Sequence, residues 1–211
     1  MHPDVVVLSG DVFSYSPYLT RGRTYKIAFW AMTEGAYAIS NDLTNIVIPS
    51  NVFCNDYTKE GFAGVSGDVV VNASHGAPIA VELKRPFAML NFATTMNSVQ
   101  KAQMDEMKAE VTLTCERGVA ESYNVLTDEV TSSGVKIYTF TETEILGTEC
   151  VNDHVTYIRL TSCYVMPVEN NIEVTANIVV KKGNETIGDL TVEKIPLTMN
   201  YSTNLYGKIL E

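Results

Sequence analysis

Apolar residues recur at every second position through much of the chain. Ile172, Val174, Ala176, Ile178 and Val180 form the longest such run. Val111, Leu113 and Cys115 point one way, while Glu110, Thr112 and Thr114 point the other. This is the pattern of strands with one face in a core. Val135 to Thr141 and Val155 to Met166 supply further strands, the latter closed by Pro167. Gly183-Asn184 separates the 172–180 run from Thr186 to Leu197, a hairpin signal. Pro196 assigns the end of that second strand to an edge or a bulge. Tyr201 to Leu210 forms a last strand, apolar enough that it must be paired.

The first half reads less regularly. Thr24 to Met32 (TYKIAFWAM) is apolar on both faces except at Lys26, which predicts a central strand covered on two sides. The sole tryptophan, Trp30, lies in it and is expected in the core. Thr44 to Ile48, Asp68 to Val71 and Ala80 to Lys84 are shorter strands, and Pro86 interrupts the ladder before the apolar run Phe87 to Thr94. One helix is predicted. Asn97 or Ser98 caps SVQKAQMDEMKA, and Gln100 follows Asn97 by three residues as a capping box requires. Together these elements predict an all-β protein of two β-sandwiches in series, residues 1–96 and 97–211, with a short connecting helix.

Composition agrees with a folded chain: 211 residues, 45% hydrophobic and 19% charged, suffice for one large core or two ordinary ones. The formal charge is −10, and no run of basic residues offers the counterion-releasing patch that phosphate backbones need. Nucleic acid is therefore not an expected partner. The apolar stretches fall far short of the roughly 20 residues that cross a bilayer. Met1-His2-Pro3-Asp4 lacks the basic and apolar regions of a secretory signal, so either the protein stays inside or a leader was removed or not included.

Candidate chemistry is sparse. Cys54, Cys115, Cys150 and Cys163 form no CxxC pair, and His2, His75 and His154 are scattered, so no metal site is assigned. Four cysteines permit three disulfide pairings, none selected by the sequence, and buried free thiols remain the alternative. Nucleophile and base pairs would be Cys54 with His75 or Cys163 with His154; the latter two stand about 30 Å apart on one extended strand. Glu142 with Glu144, and Asp128 with Glu129, read as solvated charges. Asn41-Asp42 and Asn152-Asp153 read as side-chain-stabilised turns rather than calcium loops. No phosphate-cradling glycine motif occurs. Neither a catalytic residue nor a cofactor is assigned, and no enzyme activity is expected.

Three segments, TYKIAFWAM at 24–32, LKRPFAMLNFAT at 83–94 and IPLTMNYSTNLYGKIL at 195–210, together resemble the Bacteroidales fimbrillin-like proteins, which include subunits of surface fimbriae and related adhesins. Ala36-Tyr37 with Asp42-Leu43, and GFAG at 61–64, which is similar to a family turn, fit the same order. The resemblance covers nearly the whole chain. Met199 and Ser202 stand where the family's last strand commonly carries arginine.

The resemblance implies two tandem transthyretin-like (Ig-like, Greek-key) β-sandwich domains, with the LKRPFAMLNFAT strand closing the first. It implies export as a lipoprotein precursor, display on the outer membrane in a fimbrium, and assembly with other subunits or with itself by donor-strand exchange. Family precursors carry a lipobox cysteine and a strand or two before the segment matching Asp4 to Leu19. If a first strand is missing, the N-terminal sandwich should show an unfilled edge or groove. Contact with a membrane would come only through a lipid anchor absent from this chain. The candidate assembly strand comprises Tyr201, Thr203, Leu205, Tyr206, Ile209 and Leu210, and Arg21 and Arg23 lie in a predicted loop open to a trypsin-like protease. The alternative is a monomeric surface lipoprotein that binds a glycan or host protein, with Tyr15, Tyr18 and Tyr57 as stacking candidates.

Overall fold

The computed structural model describes residues 10, 12–49, 54–72, 78–132, 134 and 136–210. The fold is all-β. Two sheets face each other around the larger core. One has the order Glu149–Asn152, Val155–Val165, Ala88–Thr94, Ser202–Gly207. It is antiparallel except for the last strand, which runs parallel to 88–94. The other has the order Ile137–Thr139, Met107–Thr114, Ile172–Lys182, Glu185–Leu197, with Thr143–Glu144 also beside 107–114. Leu90, Phe92, Leu113, Leu160, Ile178 and Leu197 are buried between them.

The alternation that predicts these strands is realised: 107–114 and 172–182 each bury every second residue over most of their length. The Gly183-Asn184 hairpin forms, and 185–197 is an edge strand with a bulge near Lys194. The helix is Ser98–Ala102 only. Asn97 Oδ1 accepts from the Gln100 amide and Gln100 Oε1 from the Asn97 amide, each at 2.9 Å, completing the capping box.

A second core holds Tyr37, Ile46, Phe87, Tyr123, Tyr164 and Met166, with Trp30 packed at its margin. Its strands are Glu129–Thr131, Ser122–Asn124, Ile46–Val47 and Ala38–Ile39 in one sheet, and Ala28–Met32 paired with Gly61–Val65 in another. Thr24–Tyr25 pairs separately with Val69–Val70. Phe87 and Tyr164 belong to the ends of 88–94 and 155–165, so the first sheet is covered on both sides there.

This arrangement differs from two sandwiches divided at residue 97. Strand 88–94, expected to close the first, lies between 155–165 and 202–207, and 46–47 pairs with 122–124. The segments 1–96 and 97–211 therefore share sheets. The cause is the composition of FAMLNFAT: Leu90 and Phe92 fill the larger core while Phe87 and Met89 face the second, so the strand cannot sit at the end of a single sandwich. The expected 24–32 strand is two short strands, because Ile27 turns aside to exchange hydrogen bonds with Ser66. GFAG is a strand rather than a turn. Of Ala80 to Lys84, only Lys84 bridges to a strand, through Ala63.

Cys54 and Cys163 form a disulfide across 109 residues, which resolves the open pairing and removes Cys163 as a nucleophile. Beside it Asn55, in the left-handed conformation (φ 60°), accepts from Thr161 Oγ1 and the Ser162 amide and donates to Thr143 Oγ1 and the Glu144 carbonyl. His75 lies outside the described residues. Cys115 is buried and Cys150 half-buried, both as free thiols. Asp42 accepts from Ser40 Oγ, Thr44 Oγ1 and the Thr44 amide, so the expected turn forms.

Replacing both Cys54 and Cys163 by serine should lower unfolding free energy by about 2–4 kcal/mol, read by urea titration, because the bridge closes a long loop of the unfolded chain. In the native protein, maleimide should label Cys150 and leave Cys115 unlabelled until unfolding, since burial raises the Cys115 thiol's pKa. The hydrogen bonds from Ser40 and Thr44 hold the Asp42 carboxyl down at about 2, which an NMR titration should report. The turn's contribution to stability is then complete above the ordinary aspartate range and fades as pH falls toward that value.

Candidate functional site

Chains that join by strand addition need an edge with unpaired main-chain groups and apolar side chains on the faces beside it. Ala28–Met32 has both. Among the described residues it pairs only with 61–65. Ala63 exchanges both its main-chain hydrogen bonds with Lys84, so its opposite residue Trp30 turns its own amide and carbonyl away from the partner strand. Ala28 and Met32 share that parity. All five residues are half-buried, and among the described residues this is an edge and not the central strand predicted from its two apolar faces.

One face of this strand meets the second core, where the Trp30 ring lies 5.6 Å from Tyr37 and 6.0 Å from Tyr123. Gly61, diagonal to Trp30 across the pair and opposite Met32, must lack a side chain, since a Cβ there would stand 2.7 Å from the Trp30 ring. Gly64 is required too, because a Cβ there would meet the Glu82 carbonyl at 2.8 Å. Close approach, not turning, explains the glycines of GFAG. On the other face, Phe29 meets Phe13 edge-on at 6.1 Å. Phe13 belongs to an extended segment, 12–20, in which Phe13, Tyr15, Pro17 and Leu19 are half-buried and the residues between are exposed. That period of two is legible in the sequence as the signal of an extended segment.

The segment ends in an exposed turn carrying Arg21 and Arg23. Gly22 donates to the Val71 carbonyl, Val71 to the Arg23 carbonyl, and Arg21 Nε to the Asn72 carbonyl. Gly22 adopts φ 79°, which a residue with a side chain resists.

The last strand is a second edge. The Tyr201 carbonyl accepts from Met89 and the Gly207 carbonyl from Thr95, so the odd-numbered residues face 88–94 and the main chains of Ser202, Asn204 and Tyr206 face outward. Leu205, Ile209 and Leu210 pack in the larger core. Thr203 Oγ1 donates to the Pro196 carbonyl at 2.7 Å, stapling this edge to the neighbouring sheet. Tyr201 is exposed, and Tyr206 lies on the outer face with its ring 5.0 Å from Tyr157.

The candidate stacking tyrosines are not gathered into one site. Tyr15 and Tyr18 lie in the N-terminal segment. Tyr57 packs edge-on to Tyr164 at 6.3 Å, and no ring contact joins it to the other two among the described residues. Tyr164 donates to Glu60, which also pairs with Arg85 at 2.9 Å. Burial, and then the bond to Glu60, raise the Tyr164 hydroxyl's pKa far above its ordinary value, so it stays a donor.

The sequence model of a family described only as being of unknown function, DUF6562, matches residues 4–211. None of the curated proteins matches the sequence. Among solved structures, a candidate adhesin of Bacteroides ovatus is 13% identical with a TM-score of 0.45, over 79% of this chain and 56% of its own. A candidate polysaccharide-binding protein of Bacteroides thetaiotaomicron is 13% identical with a TM-score of 0.48, over 82% and 60%. A candidate cell-adhesion protein of Bacteroides uniformis is 10% identical with a TM-score of 0.43, over 81% and 70%. The chain thus spans less than two thirds of the first two.

Gly61→Ala should cost about 1–3 kcal/mol in a urea titration by overpacking against Trp30, and should shift the emission of the sole tryptophan.

Proposed function

The chain belongs to DUF6562, the family of unknown function whose model it matches, and we propose that it is a structural or adhesive component of a cell-surface fimbrium, joined to its neighbours by strand addition. The observation that carries this reading is the Ala28–Met32 strand. It has apolar residues on both faces and outward main-chain groups at Ala28, Trp30 and Met32, and a segment held by side-chain packing lies beside it. Cleavage after Arg21 or Arg23 frees segment 12–20, including Phe13, and leaves Phe29 uncovered for an incoming strand. Main-chain hydrogen bonds supply the pairing and alternate side chains the specificity. The outer edge of 202–207 offers Ser202, Asn204 and Tyr206 to a second neighbour while Leu205, Ile209 and Leu210 anchor the strand at home. The resemblance to fimbrillin-like proteins supports the same reading, and the Cys54–Cys163 disulfide favours an oxidising compartment, hence export.

Limited digestion with a trypsin-like protease, followed by mass spectrometry, light scattering and Trp30 fluorescence, tests this. Cleavage after Arg21 or Arg23, ladder-like oligomers and a blue shift of Trp30 emission are expected. A double Arg21→Gln, Arg23→Gln variant should resist cleavage there and stay monomeric. A protein cut at that turn that remains a monomer with unchanged emission overturns the reading.

A further inference from the structure

Among the described residues, the second core covers the outer face of the sheet containing 88–94 at the end marked by Met89 and Tyr164. Register places Ser162, Asn91 and Asn204 in the next row across three strands, and Arg159, Ala93 and Tyr206 in the row after that. Ser162 Oγ donates to Asn91 Oδ1 at 2.6 Å, and Asn91 Nδ2 donates to Asn204 Oδ1 at 2.9 Å. This chain of bonds fixes the amide of exposed Asn204 and leaves its Nδ2 a donor without an acceptor among the described residues. The irregularity between Arg159 and Thr161 admits Leu160 to the larger core while keeping Arg159 on the outer face. Tyr157 shares that face and meets Tyr206 at 5.0 Å with the rings tilted by 52°.

What distinguishes this row is an excess of donors. Arg85 and Arg117 have carboxylate partners in Glu60 and Glu169. The Arg159 side chain has no carboxylate or hydrogen-bond partner among the described residues, and its Nε is buried without an acceptor. None of the positions that register places on this face is Asp or Glu. The hydroxyls of Tyr157 and Tyr206 are likewise without a partner among the described residues, and Lys208, next beyond the strand, is exposed and unpaired. A half-buried guanidinium in a chain of charge −10 is thus left without an anion. Burial makes a charge-assisted bidentate bond there worth more than at an open surface.

We propose that this face binds a saccharide bearing a carboxylate, that is, a uronic acid unit. The carboxylate accepts from the Arg159 guanidinium, the apolar face of the sugar ring lies on Tyr157 and Tyr206, and ring hydroxyls accept from Asn204 Nδ2 and the tyrosine hydroxyls. An aromatic pair beside fixed amide donors suits a ring of hydroxyls better than a bare anion, and the unpaired arginine selects the charged sugar over a neutral one. The site uses the outer face of the sheet rather than its edge, so it stands or falls independently of strand addition.

Titration of the uncut monomer with trigalacturonate, its methyl ester and galactotriose, followed by calorimetry, tests the proposal. Trigalacturonate should bind at least tenfold tighter than the two neutral probes. Arg159→Gln and Tyr206→Ala should each weaken it at least tenfold, whereas Lys194→Gln, on the other sheet, should leave it unchanged. Trigalacturonate should also protect Arg159 of the unaltered protein from phenylglyoxal, a readout that does not depend on any variant folding. Absence of binding, equal binding of ester and acid, undiminished binding by a folded Arg159→Gln variant, or modification of Arg159 at the same rate with and without the saccharide would each overturn it.

Discussion

The molecule is organised by one requirement: the strand Ala88–Thr94 must bury both of its faces. Leu90 and Phe92 point into the larger core, and Phe87 and Met89 meet the second. A strand with two apolar faces is stable only in the middle of a sheet with a layer on either side. The sheet of 107–114 and 172–182 supplies one layer, and the strands around Ile46, Trp30 and Tyr123 supply part of the other. Because the second layer covers only one end, the opposite end of the same face must be polar. Asn91 and Ser162 mark the changeover, buried yet hydrogen-bonded to each other, as buried polar groups must be. The apolar end and the donor-rich end are thus consequences of one packing problem.

The same requirement governs the edges. A sandwich leaves two edges on each sheet, and natural proteins protect them from uncontrolled pairing. Strand 185–197 does so with Pro196 and with the bulge near Lys194. The neighbouring edge, 202–207, is stapled through Thr203, and its outward amides have no partner among the described residues. Strand 28–32 lacks proline, charge and bulge altogether. In a molecule that guards one edge with several devices, an apolar edge left unpaired among the described residues is consistent with the proposed strand addition.

The parts legible in the sequence are those fixed by local period. Strands 107–114, 155–165 and 172–182, the Gly183-Asn184 hairpin and the Asn97 to Gln100 capping box all arise from neighbours within a few residues. What escaped depends on distant partners. Nothing local reveals that 88–94 pairs in parallel with 202–207, that Ile27 turns aside for Ser66, or that Cys54 meets Cys163. GFAG resembles a turn because glycines make turns, but the glycines here admit the Trp30 ring and the Glu82 carbonyl, which come from elsewhere in the chain. The last strand was recognisable as an assembly candidate, yet which of its residues face outward follows from register alone. Nothing local marks Tyr157 and Arg159, because their significance lies in sharing a face with Tyr206.

Stability is unevenly distributed in a way that suits this division of labour. Segment 12–20 has no ladder hydrogen bonds among the described residues, and its ring contact between Phe13 and Phe29 is of a kind worth about 0.5–1.5 kcal/mol beyond its burial. Such a segment belongs to the low end of the range of local opening free energies. The layer it rests on is held quite differently. Cys54, on the segment leading into 61–65, packs in the larger core and is joined covalently to the 155–165 strand, and Asn55 adds bonds to Thr161, Ser162, Thr143 and Glu144. On the proposed reading, loss of the segment uncovers the 28–32 strand while these bonds stay in place. An acceptor edge has to be rigid before its partner arrives, because ordering it during association would subtract from the affinity of the joint. The disulfide and Asn55, beside the 155–165 strand and C-terminal to the Arg21–Arg23 turn in the sequence, would stay in place after the proposed cleavage and supply that rigidity.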